Sequence, residues 1–220
     1  MHMESSLLIT LVSALSLPLL AVVGILLRRQ LFTGTLKYIL LCCGMALVLF
    51  TVIQTFIEHG EDFGLADILV SVITALITLF ILAKFNHNHA HNEGGAKGIV
   101  ISEAFHSLID GAVIGATYLV SPLLGSAATI GIVVHELPKM VGTLTIFRSL
   151  GLSLQKTIVY GVLAQIGSPV AATFIYLLGT KLNHEQFHSL ELASVSSLAA
   201  IILWIVYLET RYHARRSHHH

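Results

Sequence analysis

Two stretches decide how this sequence folds: Glu103-Ala-Phe-His106-Ser-Leu-Ile-Asp110-Gly111 and His135-Glu136-Leu-Pro138-Lys139. Both place ionisable residues inside long apolar runs, 99–120 and 127–147. Ionisable side chains are costly in hydrocarbon, and those that occur in membrane helices usually face a polar interior and mark a pathway. Because the two runs are separated only by a short turn at Ser121-Pro122, they predict one intramembrane site built from both helices.

The composition is that of a membrane protein. Of 220 residues, 55% are hydrophobic and 11% are charged, whereas soluble domains carry about 25% charged residues. A helix needs about 20 mainly apolar residues to span a bilayer. The sequence contains seven such runs: 7–27, 38–57, 66–85, 99–120, 127–147, 157–179 and 190–208. We therefore predict an all-α polytopic membrane protein with seven transmembrane helices, forming a single domain over residues 1–216.

The distribution of charge predicts the orientation in the bilayer. The formal net charge is zero, which gives no basic signal for nucleic acid. Positive residues concentrate on the cytoplasmic side of membrane proteins. With the N-terminus outside, one set of connections holds nearly all the basic residues: Arg28, Arg29, Lys37, Lys84, Lys97, Arg148, Lys156, Arg211, Arg215 and Arg216. The opposite connections hold acids, with Lys181 as the one base: Glu58, Glu61, Asp62, Asp67, Glu185 and Glu191. The last residues, 217–220, read Ser-His-His-His and are expected to be a tag remnant.

Two polar segments lie outside the central runs. Gln54 and Glu58 share a face at the outer end of the second helix, and an acidic mouth there would concentrate cations. The alternative is an ordinary solvated helix end. Residues 86–95 contain His87, His89 and His91 and are expected to form a flexible cytoplasmic loop. Imidazole suits zinc, copper, iron and nickel, so the loop either captures metal loosely or is a merely polar connector.

Helical spacing brings the central ionisable residues to one level. His106 and Asp110 are four apart and share a face, as do His135 and Lys139, with Glu103 one turn before His106. At a rise of about 1.5 Å per residue, His106 and Lys139 each lie about 14 Å from the inner ends of their helices, and Asp110 and His135 about 20 Å. Two antiparallel helices thus present matched polar levels near the middle of a core about 30 Å thick.

These side chains have the chemistry of a metal site. Histidine nitrogen and carboxylate oxygen are the usual ligands of zinc and of borderline divalent metals. His106, Asp110 and His135 provide three ligands, with Glu136 as a fourth candidate. Protonated Lys139 cannot ligate, and is expected to neutralise a neighbouring carboxylate. The remaining candidates are Glu103 as a further ligand or relay position, and Ser107 and Gln165 as lining residues. The alternative is a salt-bridge cluster that only holds helices together.

The two stretches resemble the fourth and fifth transmembrane helices of the ZIP (Zrt/Irt-like protein) family of divalent metal transporters. The fourth helix of that family carries a His-Asn-x-Pro-Glu/Asp-Gly pattern and the fifth a His-Glu-x-Pro pattern. Here they stand as His106-Ser107-Leu-Ile109-Asp110-Gly111 and His135-Glu136-Leu-Pro138. The likeness covers nearly the whole chain as topology, but only these two motifs are specific.

The resemblance implies an integral protein of the cell membrane that moves zinc, iron, manganese or cadmium into the cytoplasm by alternating access. The metal is then a transported substrate, with no resident cofactor. The resemblance also implies two ion sites at mid-membrane, two three-helix inverted repeats plus one further helix, and a homodimer. The family usually has eight helices, so an eighth is expected to be absent or trimmed away.

Two departures from the family pattern alter that expectation. Ser107 stands where the family has Asn, and Lys139 stands where it usually has a Glu or His that bridges two metals. We therefore predict a single ion, with the Lys139 ammonium as surrogate for the second. Other hypotheses are an intramembrane zinc hydrolase of lipid amides and a metal sensor that does not transport. The hydrolase needs a third His from a late helix, which the sixth and seventh runs lack, so we expect no enzyme.

Overall fold

The structure is a computed structural model that describes residues 2–26, 35–59, 64–91, 95–183, 186–187, 189–197, 199–200, 203–204 and 207. The helices are α1 (His2–Leu26), α2 (Thr35–His59), α3 (Leu65–His91), α4 (Gly95–Val120), α5 (Pro122–Ser149), α6 (Leu154–Gln165) and α7 (Gly167–Gly179). Residues 189–197 are also helical, and no β-strand occurs in the described ranges. The all-α prediction is confirmed.

Three segments of the described chain are long and apolar enough to cross a membrane: Gly95–Val120, Pro122–Ser149 and Leu154–Gly179. They correspond to the fourth, fifth and sixth predicted spans. The earlier helices contain shorter apolar segments, Leu7–Leu20, Cys42–Gln54 and Leu65–Ile81. The seven labelled helices are not the seven predicted spans, because the sixth span is divided into α6 and α7 by a turn at Ile166.

The prediction of a flexible loop at residues 86–95 is wrong for residues 86–91. Helix α3 continues to His91, and α4 begins at Gly95; residues 92–94 lie outside the described part. Asn and His are only modestly unfavourable in a helix, so the Asn/His run does not end α3. Gly95, the first residue of α4, adopts a φ of 50° that an L side chain rarely takes.

The expectation that Glu191 lies in an outer connection is also wrong. Glu191 is 0% exposed, beside Leu192 at 1%, within the helical residues 189–197. The helix begins before Glu191 and packs it inside the protein. The Ser189 hydroxyl donates a hydrogen bond to the carboxylate of Asp67 on α3, which holds that helix against α3.

Small residues bring α4 against α7. A Cβ added to Gly111 would lie 2.6 Å from the Ser168 Cα, and one added to Gly115 would lie 3.1 Å from the Ala172 Cα. Small residues four apart allow membrane helices to approach backbone to backbone. The α4–α7 contact is therefore a close one, and it lies beside the polar residues of α4.

Two apolar clusters lie on either side of those polar residues along the helices. One contains Val113, Ile114 and Tyr118 of α4 with Ala128 and Ile132 of α5. The other contains Met140, Leu144 and Phe147 of α5 with Leu20 of α1. On α5 the polar residues thus fall between Ile132 and Met140.

Candidate metal centre

Four side chains from two helices converge at the centre of α4 and α5. They are His106 and Asp110 of α4 and His135 and Glu136 of α5, and one ligand atom of each lies within 4.8 Å of the others. All four residues are buried, with exposed fractions of 0 to 6%. The spacing of four residues on α4 and the antiparallel turn at Ser121 produce this convergence, as the matched levels of the two helices predicted.

The distances suit one metal ion. His106 Nε2 lies 2.9 Å from Glu136 Oε1 and 3.6 Å from Asp110 Oδ2. His135 Nε2 lies 3.6 Å from the same Glu136 oxygen. Donor atoms around a tetrahedral zinc, at the usual bond lengths, are separated by about 3.3 Å. The cluster therefore needs only small adjustments to surround one ion.

Asp110 and His135 each offer a ligand atom that has no hydrogen-bond partner in the described part of the chain. Both carboxylate oxygens of Asp110 and the Nε2 of His135 are buried and accept no hydrogen bond from the described residues. Buried polar atoms are nearly always paired, and leaving one unpaired is costly. The unsatisfied lone pairs of Asp110 and His135 are therefore available to a cation.

The orientation of His135 is fixed by its own helix. Its Nδ1 lies 3.1 Å from the carbonyl oxygen of Gly131. Because a carbonyl oxygen can only accept, this hydrogen bond requires the proton on Nδ1 and leaves a lone pair on Nε2. Such an outer contact orients a ligating histidine and selects its tautomer. Helix α2 supports the same ring, since a Cβ on Gly44 would lie 2.7 Å from the Cβ of His135.

Lys139 pairs with two carboxylates at once. Its Nζ lies 2.8 Å from Glu136 Oε1 and 2.8 Å from Glu103 Oε2. The expected neutralisation of a neighbouring carboxylate is thus seen for both. Glu103 is not brought into the cluster of four, but stands beyond Lys139. With Glu103, Asp110, Glu136 and Lys139 in their charged forms and both histidines neutral, two negative charges remain, which one divalent cation balances.

Gln165 and Ser107 occupy different positions relative to the cluster. The Gln165 side chain is buried, and its Nε2 donates to Glu136 Oε2 at 3.2 Å. Ser107 is buried too, but its hydroxyl hydrogen-bonds to the backbone at the junction of α6 and α7. Gln165 therefore contacts a candidate ligand directly, whereas Ser107 contacts the chain that carries Gln165.

Solvent exposure is uneven across the polar residues of α4 and α5. The exposed fraction of the side chain falls from 29% at Lys139 and 15% at Glu103 to 8% at His106 and 0% at Asp110. Beyond Asp110 along α4, the Tyr118 hydroxyl lies 2.8 Å from the Ser13 hydroxyl of α1, and Tyr118 is buried. Exposure is therefore greatest on the side of the cluster where Lys139 and Glu103 lie.

The other predicted site residues are Gln54, Glu58, His87, His89 and His91. Gln54 is half-buried on α2. The side chains of Glu58, His87, His89 and His91 lie outside the described part of the structure, so the entrance and the metal-capture segment stay predictions. The reasoning from sequence missed the contact of Gly44 with His135, for which a glycine inside an apolar run was the only signal.

Long apolar helices enclosing four buried metal-type ligands define a membrane protein with a candidate divalent-metal site. The chain is similar to the metal cation symporter ZIP8 of Rattus norvegicus, at 32% identity over 81 residues, which are 37% of this chain and 18% of that protein. It is also similar to the metal cation symporters ZIP14 of Bos taurus, at 32% over 82 residues, and of Homo sapiens, at 29% over 82 residues.

These matches confirm the resemblance to the ZIP family and support an integral membrane protein related to metal cation transporters. The chain matches only 17 to 18% of the length of these relatives. No protein-family model and no solved structure matches the chain.

Proposed function

We propose that this protein carries a divalent metal cation across a membrane into the cytoplasm by alternating access, with His106, Asp110, His135 and Glu136 as the ligands at the midpoint. The single observation that carries the proposal is the convergence of these four buried donors, with unsatisfied lone pairs on Asp110 and His135. The printed names of the relatives, metal cation symporters, support the same class of function.

The binding step is a ligand exchange centred on Glu136. Glu136 Oε1 is held by the Lys139 ammonium and lies within hydrogen-bond distance of His106. An incoming cation takes this oxygen together with His106 Nε2, Asp110 and His135. Lys139 then remains paired with Glu103 and takes the place of a second metal. The remaining double negative charge of the site favours one divalent ion.

Zinc is the proposed substrate, with iron, manganese or cadmium as other candidates. Two imidazole nitrogens and two carboxylate oxygens form a donor set that zinc accepts in tetrahedral geometry. Manganese and iron(II) accept the same donors but bind more weakly in general. Competition among these ions for uptake would rank them.

The proposal also includes the orientation, internal repeats, location and oligomeric state of the protein. The distribution of basic residues supports an N-terminus outside the cytoplasm. The family resemblance supports two three-helix repeats within a single domain, a plasma-membrane location and a homodimer. Gln54 and Glu58 are proposed to form the entrance, Glu103 a relay position, and His87, His89 and His91 a cytoplasmic metal-capture segment.

Zinc uptake into proteoliposomes tests the proposal. The unchanged protein is expected to take up zinc, and Asp110→Ala and His135→Ala are expected to abolish uptake. Thr117→Ala is a matched control, because Thr117 is buried on the same helix and bonds only to carbonyls of α4. Absence of uptake by the unchanged protein would contradict the proposal; hydrolysis of a lipid amide would then favour the enzyme, and tight zinc binding alone would favour the sensor.

A further inference from the structure

A proline creates an unsatisfied carbonyl at the junction of α6 and α7. In an α-helix the carbonyl of one residue accepts from the N–H four residues later. Pro169 stands four residues after Gln165 and has no N–H, and its ring crowds the same carbonyl. The helix is interrupted at this point, with a turn at Ile166. In a membrane interior such freed groups must be satisfied within the protein.

Ser107 of α4 supplies hydrogen-bond partners to the backbone groups at the α6–α7 junction. Its hydroxyl donates to the Gln165 carbonyl oxygen at 2.9 Å and accepts from the Ser168 N–H at 2.9 Å. Ser107 is 0% exposed, so water does not compete for these bonds. One hydroxyl thus holds both sides of the interruption.

Glycines allow α4 to come close enough to the α6–α7 backbone for the two hydrogen bonds of Ser107. A Cβ on Gly167 would lie 2.8 Å from the Ala104 carbonyl oxygen and 3.0 Å from the Leu108 nitrogen. Gly111, one turn after Ser107, meets the backbone of Ser168 in the same way. The serine hydroxyl is therefore short enough to reach the α6–α7 backbone only because glycines flank it on both helices.

The hydrogen bonds of Ser107 are connected to the metal cluster through Gln165. The residue whose carbonyl Ser107 holds is Gln165, and the side chain of Gln165 donates to Glu136 Oε2. Movement of the junction would therefore move the amide that orients a candidate ligand.

We propose that Ser107 is a positioning residue that clamps the proline-interrupted α6–α7 junction and thereby sets Gln165 against Glu136. Its hydroxyl acts on the backbone and is not a ligand of the ion. The effect on metal affinity rests on the proposed function, whereas the clamp itself does not.

A cycle of variants in the full chain tests the clamp. Ser107→Ala is expected to speed hydrogen exchange in the segment 163–170 and to weaken zinc binding by about tenfold, since it leaves two buried backbone groups unsatisfied. Pro169→Ala restores a backbone N–H at position 169, which can donate to the Gln165 carbonyl within the helix. In that background, Ser107→Ala is expected to change exchange and zinc affinity by less than about threefold. Thr117→Ala, which removes a buried hydroxyl from the same helix, should leave the segment unchanged.

Each outcome of these measurements supports or contradicts the clamp by Ser107. If Ser107→Ala behaves like Thr117→Ala, or if its effect is equally large in the Pro169→Ala background, the clamp is wrong. If Ser107→Ala does not fold, the double variant must recover a folded protein, and failure to do so also contradicts the clamp. If the unchanged protein binds no zinc, the proposed function fails, while hydrogen exchange still tests the clamp.

Discussion

The Nζ of Lys139 lies 2.8 Å from Glu136 Oε1, the same oxygen that lies 2.9 Å from the Nε2 of His106. An ammonium group therefore occupies one side of a carboxylate that is proposed to bind the ion. Lysine carries its charge on a flexible stem, so it can leave Glu136 when an ion arrives and return when the ion departs. Lys139 is thus expected to limit both the number of ions bound and the strength with which Glu136 holds them.

Removing the ammonium should change the number of ions. Lys139→Gln leaves one more uncompensated negative charge beside Glu136 and Glu103, so we expect zinc affinity to rise by about tenfold, or a second ion to bind, with slower release and slower uptake. Calorimetric titration of the purified protein gives both stoichiometry and affinity. Lys156→Gln, an exposed lysine on α6, is the matched control. A stoichiometry of two ions in the unchanged protein would contradict the role of Lys139.

Glu103 and Glu136 should differ sharply, although both pair with Lys139. Glu136→Gln removes a proposed ligand and is expected to weaken zinc binding by at least about a hundredfold. Glu103→Gln only releases Lys139 to pair with Glu136 alone, and a change of about threefold is expected. Equilibrium zinc titration compares the two. Equal losses would mean that Glu103 ligates the ion.

The close contact of α4 and α7 makes Gly111 intolerant of a larger side chain. Gly111→Ala places a methyl group against the Ser168 backbone, which cannot rotate away, and a destabilisation of about 1–3 kcal/mol is expected. Gly142→Ala is the matched control, because nothing lies within 4 Å of its Cβ position and alanine favours the helix by up to about 1 kcal/mol. Thermal unfolding in detergent measures both. The prediction fails if the two substitutions shift the unfolding temperature equally.

Gly44→Ala should act on the metal site from a neighbouring helix. The new Cβ would lie 2.7 Å from both the Cβ and the backbone nitrogen of His135. Displacement of this ring is expected to weaken zinc binding by about tenfold while the fold persists. Zinc titration and circular dichroism on the same sample separate the two effects. Unchanged affinity in a folded Gly44→Ala protein would contradict the proposed role of His135 as a ligand.

The faces of α4 and α5 could be predicted from the sequence, whereas the role of Ser107 could not. The spacing of His106 and Asp110 fixes their shared face on any α-helix, and the short turn at Ser121 makes the next helix antiparallel. The partner of Ser107 lies 58 residues away, and its need for a donor arises only because Pro169 interrupts a different helix. Such a relationship depends on which helices pack together, which the spacing of apolar residues does not specify.

The two predictions that the structure contradicts, for residues 86–91 and for Glu191, failed for a similar reason. The Asn/His run after the third apolar segment was predicted to be a loop from its composition, but nothing in residues 86–91 prevents α3 from continuing to His91. Glu191 was assigned to an outer connection, yet it lies in a helix and tertiary packing buries it completely. Local composition is a weak guide wherever a neighbouring helix decides the environment of a residue.

The four buried residues of α4 and α5 are proposed to bind one transported ion. Anomalous diffraction at the zinc edge from zinc-soaked crystals tests this most directly. We expect one peak, within about 2.0–2.2 Å of donor atoms of His106, Asp110, His135 and Glu136, and no peak beside Lys139. No peak at the cluster, or two peaks with one beside Lys139, would contradict the account.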